Sequence, residues 1–219
     1  MVPYRLKVLT VGVVATLICS STGNVPASER DVPPLLSRTD PLRVDPENKR
    51  VLIYTEVNPK SHHQNNPHWG VVFRGGKLHD KGLLLAFCTP ESFYDALTQI
   101  GARPGNNLTL RSSGEFIAGD EVVVSVIVPG TSQPLGLAEI FDDTSGKGFH
   151  IRFGGNRQRA VEEQTGCITC LESCPVGITS NASYPAISSF KRMLSPNCRF
   201  KGRAEKLPPS GKMVLIYSR

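Results

Sequence analysis

The sequence predicts an α+β fold: a mainly antiparallel sheet with few helices and a cysteine-rich C-terminal loop region. Short runs rich in Val, Ile, Leu, Phe and Tyr recur between turn-forming residues, and a single segment carries a full set of helix signals. Four of the 6 cysteines, Cys167, Cys170, Cys174 and Cys198, fall near the end of the chain among glycines and prolines that break regular structure. Strands therefore outnumber helices, without the strand–helix alternation that announces a parallel sheet.

The chain starts with Arg5 and Lys7, an uncharged run from Val8 to Cys19, and small or polar residues from Ser20 to Asn24. A basic start, an apolar centre and a small-residue tail predict a signal peptide over residues 1–23, with cleavage after Ser21, Gly23 or Ala27. The apolar run is shorter than the roughly 20 residues a membrane helix needs, so no stable span is expected after cleavage. Ile18 is bulky where lipid attachment at Cys19 would want a small residue, and Arg5 lacks the partner of a twin-arginine signal. The expectation is export, unfolded, to the periplasm or the exterior. Residues 24–40, rich in Pro, Ser and charge, read as a flexible N-terminal tether, and 41–219 as one domain with a cysteine-rich segment over 164–203.

Leu42 to Val44 and Arg50 to Val57 flank the turn-forming Asp45, Pro46, Glu47 and Asn48, which predicts a hairpin. A polar loop from Asn58 to Asn66 leads to a strand from His68 to Phe73, broken by Gly75 and Gly76. The apolar run Leu83 to Cys88 predicts a buried strand. Thr89, Pro90 and Glu91 then supply a helix cap, a first helical proline and a first-turn acid. Phe93, Leu97 and Ile100 recur at helical spacing up to Gly101, a C-terminal stop. Branched residues predict strands at Glu121 to Val128, Leu135 to Phe141, Phe149 to Phe153 and Met213 to Tyr217. Short helices are expected at Arg157 to Gln164 and Ala186 to Leu194. Val-Leu-Ile-Tyr occurs at both Val51 to Tyr54 and Val214 to Tyr217, which predicts two buried strands near one another.

Lys and Arg total 25 against 19 Asp and Glu; without Arg5 and Lys7 the balance is 23 against 19, a net of plus four. The basic residues are scattered without interleaved aromatics, which gives no case for nucleic acid. Gly75, Gly76 and Lys77 lack the spacing of a phosphate loop, and no nucleophile elbow is present.

The chemistry-bearing pattern is Cys-x2-Cys-x3-Cys-Pro at Cys167, Cys170 and Cys174, with Cys198 as a fourth sulfur. Closely spaced thiolates can wrap one face of a metal cluster, and a following proline turns the chain away. The run matches the last three cysteines of a bacterial ferredoxin motif, with Gln164 where the first would stand. Lys191, Arg192, Arg199, Lys201 and Arg203 surround Cys198; they either lower thiol pKa values or form a solvated surface. An iron–sulfur cluster, zinc, two disulfides or a redox-active dithiol all fit this spacing, and export to an oxidising compartment favours disulfides. Cys88, ending an apolar run, reads as a buried free thiol. His62, His63 and His68 near Trp69 form a second, weaker metal-ligand set, with exposed, unliganded histidines as the plainer reading.

The stretches NPHWGVVFRGG from Asn66, DKGLLLAFCTPESFYDALTQIGARPGNN from Asp80, FHIRFGGN from Phe149 and GCITCLESCPVGITSNASY from Gly166 resemble the YdjY-domain family of exported bacterial proteins, commonly labelled ferredoxin-like. They lie between residues 66 and 184 of the chain. The resemblance implies an iron–sulfur or redox role, which with the cysteine spacing makes the leading expectation an iron–sulfur cluster, 4Fe-4S in type, on Cys167, Cys170, Cys174 and Cys198, with Cys88 or a histidine in reserve for the fourth ligand. It also implies electron exchange with a redox partner protein in the cell envelope, a carrier rather than an enzyme. The alternative is a disulfide-stapled periplasmic binding module without metal, whose loops around His62 to Trp69 recognise a small ligand.

Overall fold

A computed structural model describes residues 36–219 apart from 63, 132, 190–198 and 208–210. The segment expected to be a signal peptide, most of the tether, His63 and Cys198 thus lie outside the described residues.

The first hairpin forms as its turn residues require. β1 (Leu42–Asp45) and β2 (Arg50–Val57) pair antiparallel from Leu42↔Ile53 to Asp45↔Arg50. The Asp45 carboxylate accepts from the Asn48 backbone N–H at 3.1 Å and the Arg50 guanidinium at 2.8 Å, which closes the turn on itself. β3 (Trp69–Phe73) and β4 (Leu84–Ala86) follow, then α1 (Pro90–Gln99). Thr89 Oγ1 accepts the Ser92 N–H at 3.2 Å, and Gly101 takes the left-handed φ of 81° that ends the helix. The buried face of α1, with Phe93, Ala96 and Leu97, sets the Phe93 ring edge-on to Tyr217 at 4.6 Å.

The second half is built of short pieces: β5 (Val123–Ile127), β6 (Leu135–Gly136), α2 (Leu137–Ile140), β7 (Phe141–Asp143), β8 (Ile151–Phe153), α3 (Arg157–Glu163), β9 (Cys167–Cys170), β10 (Thr179–Asn181), β11 (Phe200–Gly202) and β12 (Lys212–Ser218). Ten strands make one sheet in the order β6-β5-β12-β2-β4-β3-β9-β10-β8, with β1 on β2, and β11 pairs with β7 separately. β3 with β4 and β9 with β10 are the parallel pairs; the others are antiparallel. The two Val-Leu-Ile-Tyr copies lie side by side in the middle of the sheet, running oppositely, with Val51↔Tyr217, Leu52↔Ile216, Ile53↔Leu215 and Tyr54↔Val214.

The α+β expectation is overturned: the described domain is mostly β. Its helices hold only 10, 4 and 7 residues and build no layer of their own. Two expected elements dissolve for local reasons. The strand proposed for Leu135 to Phe141 splits because the Glu139 carboxylate accepts the Gly136 N–H at 2.7 Å and caps a single helical turn, α2. Residues 186–189 form turns where a helix was expected, and 190–194 lie outside the described residues.

β2 and β12 are buried on both faces, so their sequences read as continuous apolar runs rather than alternating ones. Val51 and Ile53 enter the main core with Phe93, Leu215 and Tyr217, while Leu52, Tyr54 and Ile216 pack with Leu36 on the other side. Ile53, fully buried at 0 % exposure, is the test of this arrangement. Ile53→Ala should cost about 2–5 kcal/mol in urea unfolding, the range for a truncated core aliphatic; a loss below about 1 kcal/mol would place the core elsewhere.

Candidate functional site

Regular alternation along a strand would send Cys167 and Cys170, three residues apart, to opposite faces. The β3–β9 pairing removes that conflict. Its register runs Trp69↔Cys170, Val71↔Thr169 and Val72↔Cys167, leaving Gly70 on one strand and Ile168 on the other without a partner. The extra residue resets the alternation, as a bulge does. Ile168 joins the main core, Thr169 turns to the Tyr217 hydroxyl at 2.7 Å, and both cysteines come out on the other side. Gly70 permits this because a Cβ there would stand 3.0 Å from Thr169 O and 2.8 Å from Leu171 Cδ2. Just upstream, Gly76 and Gly166 touch through their backbones: a Cβ on Gly76 would fall 2.6 Å from Thr165 O.

Cys174 reaches the same place from the loop after β9. Asn156 holds that loop by donating both amide hydrogens, to Cys174 O at 3.0 Å and Gly177 O at 2.9 Å. Gly177 leaves room for the neighbouring sulfur, since a Cβ there would meet Cys170 Sγ at 2.9 Å. The three cysteines, none more than 4 % exposed, form one cluster covered by Trp69, Leu78 and Val176. The Cys170 side chain hydrogen-bonds with both Cys167 and Cys174, so it is the middle member. Those bonds, with burial, hold the Cys170 thiol well above its ordinary range, whereas the bond from Cys170 lowers Cys167. The first proton to leave this pair is therefore that of Cys167, and its thiolate is stabilised by the Cys170 S–H.

The described cysteines Cys88, Cys167, Cys170 and Cys174 are all free thiols, so the disulfide staple offered as the alternative is not formed among them. Strand geometry explains part of this: three strand residues span about 10 Å, beyond the roughly 4.4–6.8 Å between the Cα atoms of a disulfide, and a bulge shortens only part of that. Among the described residues, no group of three His, Cys, Asp or Glu side chains stands ready to hold a metal ion. Cys170 bonds to both of the other thiols, and a fourth donor is needed to close around an ion. Cys198, proposed for that place, lies outside the described residues. Cys88 is a separate buried thiol pushed up to about 12 by desolvation.

The histidines correct the sequence reading in another way. His62 and His68 are 2 % and 9 % exposed, not surface residues, and His63 lies outside the described set. His62 Nδ1 sits 3.2 Å from Asn58 O. His68 belongs to a buried polar cluster that the sequence did not announce. Its centre is Glu172, placed in the chain between Cys170 and Cys174. The Glu172 carboxylate accepts from Ser188 Oγ at 2.6 Å, Ser189 Oγ at 2.6 Å and Ser189 N at 2.9 Å. His68 Nδ1 lies 2.7 Å from Ser189 Oγ and 3.5 Å from Glu172, and Arg199 Nη1 is 3.7 Å from the same carboxylate. Arg199, one of the basic residues noted around Cys198, is 5 % exposed and stacks over the Tyr184 ring at 4.0 Å. Arg203 pairs with Asp142 at 2.8 Å, and Lys201 is exposed. These three described cations serve three different roles; Lys191 and Arg192 lie outside the described residues.

Two matches with known proteins bear on this arrangement. Residues 42–219 match the model of the YdjY domain family. A relative in Escherichia coli (strain K12), named uncharacterized protein YdjY, is 36% identical over 182 residues, covering 83% of this chain and 79% of its own. No solved structure matches the chain.

Burial lowers His68 from 6.5 to about 4. Between those values the unfolded chain binds more protons than the folded one, so stability falls as pH drops through the window, by about 3 kcal/mol for a shift of this size. Glu172, raised by burial, acts with the opposite sign and offsets part of that loss. Urea unfolding across this range should show His68→Gln with a flatter acid limb than the parent. Parallel curves would contradict the buried, neutral imidazole.

Proposed function

The chain belongs to the YdjY domain family, and on that premise we propose that Cys167, Cys170 and Cys174 form the sulfur face of a metal-thiolate centre, an iron–sulfur cluster or zinc. The observation that carries the proposal is the convergence of three unpaired, buried thiols on one side of a bulged strand pair. Donor type fits a thiophilic metal. Burial fits an iron–sulfur group, whose potential depends on exclusion of water and on hydrogen bonds to sulfur. Since the described residues do not close a coordination set by themselves, the reading requires Cys198 as the fourth donor. Its chain neighbour Arg199 pairs with Glu172, which stands between Cys170 and Cys174, and this supports the assignment.

An iron–sulfur group in such a site would supply one-electron exchange, and the protein would then be a carrier serving a redox partner in the cell envelope rather than an enzyme. The chain's own residues contribute in defined ways. Cys170 hydrogen-bonds with its neighbours, Asn156 fixes the loop carrying Cys174, and Trp69, Leu78 and Val176 exclude water. Delivery to the periplasm or exterior follows from the basic and apolar start of the chain.

The protein should be isolated anaerobically from the native envelope without refolding and analysed for iron, sulfide and zinc. The expected result is a stoichiometric metal content, lost in Cys170→Ser and Cys198→Ser and kept in Cys88→Ser. A metal-free protein that takes up neither zinc nor iron and sulfide while its thiols are reduced would overturn the proposal.

A further inference from the structure

Whatever reacts with the cluster must first pass the side chains that cover it, because the three sulfurs are buried. Of these, Leu78 is held on both sides of its peptide: its N–H donates to Thr165 O at 3.1 Å and its carbonyl accepts from Lys81 N at 2.9 Å. Trp69 is held in the same way, its N–H by Asn66 Oδ1 at 2.7 Å and its carbonyl by the Leu83 N–H at 3.0 Å, but it differs in position: its half-buried indole packs against the thiols and also lines a cleft of about 410 Å³. Rotation of that side chain would uncover the sulfurs without breaking a backbone hydrogen bond. The cleft is also lined by Lys60, Gln64, Asn65, Asp80 and Lys81. Asp80 approaches Lys81 at 4.0 Å, so two lysines against one aspartate leave a net positive charge at the mouth.

We propose that this cleft is the access port to the buried thiols, with Trp69 as its movable inner wall, and that it admits a small anionic thiophile. The identity of the natural occupant rests on the function proposed above: a thiophilic metal carried as an anionic complex of small thiolates. The port itself rests only on the cover, the cleft and its charge. Neutral and anionic sulfur-seeking molecules would enter more easily than cations, because lysines at the rim raise the local concentration of negative species.

The test uses the reduced, metal-free full chain and two methanethiosulfonate reagents of similar size, sulfonatoethyl and trimethylammonioethyl. A protein thiolate attacks the sulfenyl sulfur of either reagent, forms a mixed disulfide and expels methanesulfinate. Site-resolved mass spectrometry then gives the rate at each cysteine. The sulfonate should label the cluster faster than the cation by about fivefold, the effect of roughly 1 kcal/mol of Coulomb energy at the mouth. Trp69→Ala should raise both rates at the cluster by about tenfold or more while Cys88 stays slow, as local uncovering without unfolding requires. Lys60→Glu combined with Lys81→Glu should reverse the charge preference with the indole intact. Cluster rates unchanged by Trp69→Ala, or raised instead by Leu78→Ala alone, would overturn the proposal. If Cys88 accelerates in step in Trp69→Ala, the double lysine variant decides, and an unaltered preference there would overturn it. Neither reagent needs bound metal, so a failure of the metal-centre reading leaves this result standing.

Discussion

The arrangement depends on one local constraint: β9 and β3 pair with one residue out of register on each strand. Gly70 and Ile168 have no partner, and the resulting reset turns Cys167 and Cys170 to the same side while Ile168 and Thr169 face the core. A side chain at Gly70 would press on Thr169 O. The hydroxyl contacts of Thr169 with Tyr217 at 2.7 Å and Thr179 at 2.8 Å pin the strand from the core side. Position and chemistry are thus tied through the backbone, and the cysteines inherit the rigidity of a strand inside a ten-stranded sheet.

Around the sulfurs the protein places two unlike environments. On one side are Trp69, Leu78 and Val176, apolar and half-buried. Beyond Cys170 along the chain lies the carboxylate of Glu172, with Arg199, His68 and two serines bonded around it. A buried ion pair contributes little net stability against an apolar substitute, yet removing one partner costs several kcal/mol because the other charge is stranded. That asymmetry fixes the loop between Cys170 and Cys174 in one conformation. The sulfur cluster gains order from a network that does not itself touch the chemistry.

Much of the sheet was legible in the sequence because its signals are local. The Asp45 to Asn48 turn, the Thr89 cap with Pro90, and the repeated Val-Leu-Ile-Tyr runs each state a short-range preference that the fold keeps. Fold class was misread because short helical segments were given the weight of a layer: the helix expected at 157–164 forms as the seven-residue α3, but residues 186–189 form turns where a further helix was expected. The spacing of Cys167, Cys170 and Cys174 marked the candidate site, but not the means of their convergence, since a register reset arises only when two distant strands meet. The cluster that joins His68 to Ser189 and Glu172 was missed for the same reason: His68 Nδ1 and Ser189 Oγ are 121 positions apart in sequence and 2.7 Å apart in space. A carboxylate lying between two cysteines was the one signal that could have pointed there.

The central claim is that Cys170 sits between two other thiols and stabilises the thiolate of Cys167. An ultraviolet thiolate titration of the reduced, metal-free protein measures this directly. It should show one thiolate forming below the ordinary cysteine range, and that early step should vanish when Cys170 is replaced by serine. Titration of every cysteine at or above its ordinary range, with or without Cys170, would contradict the account.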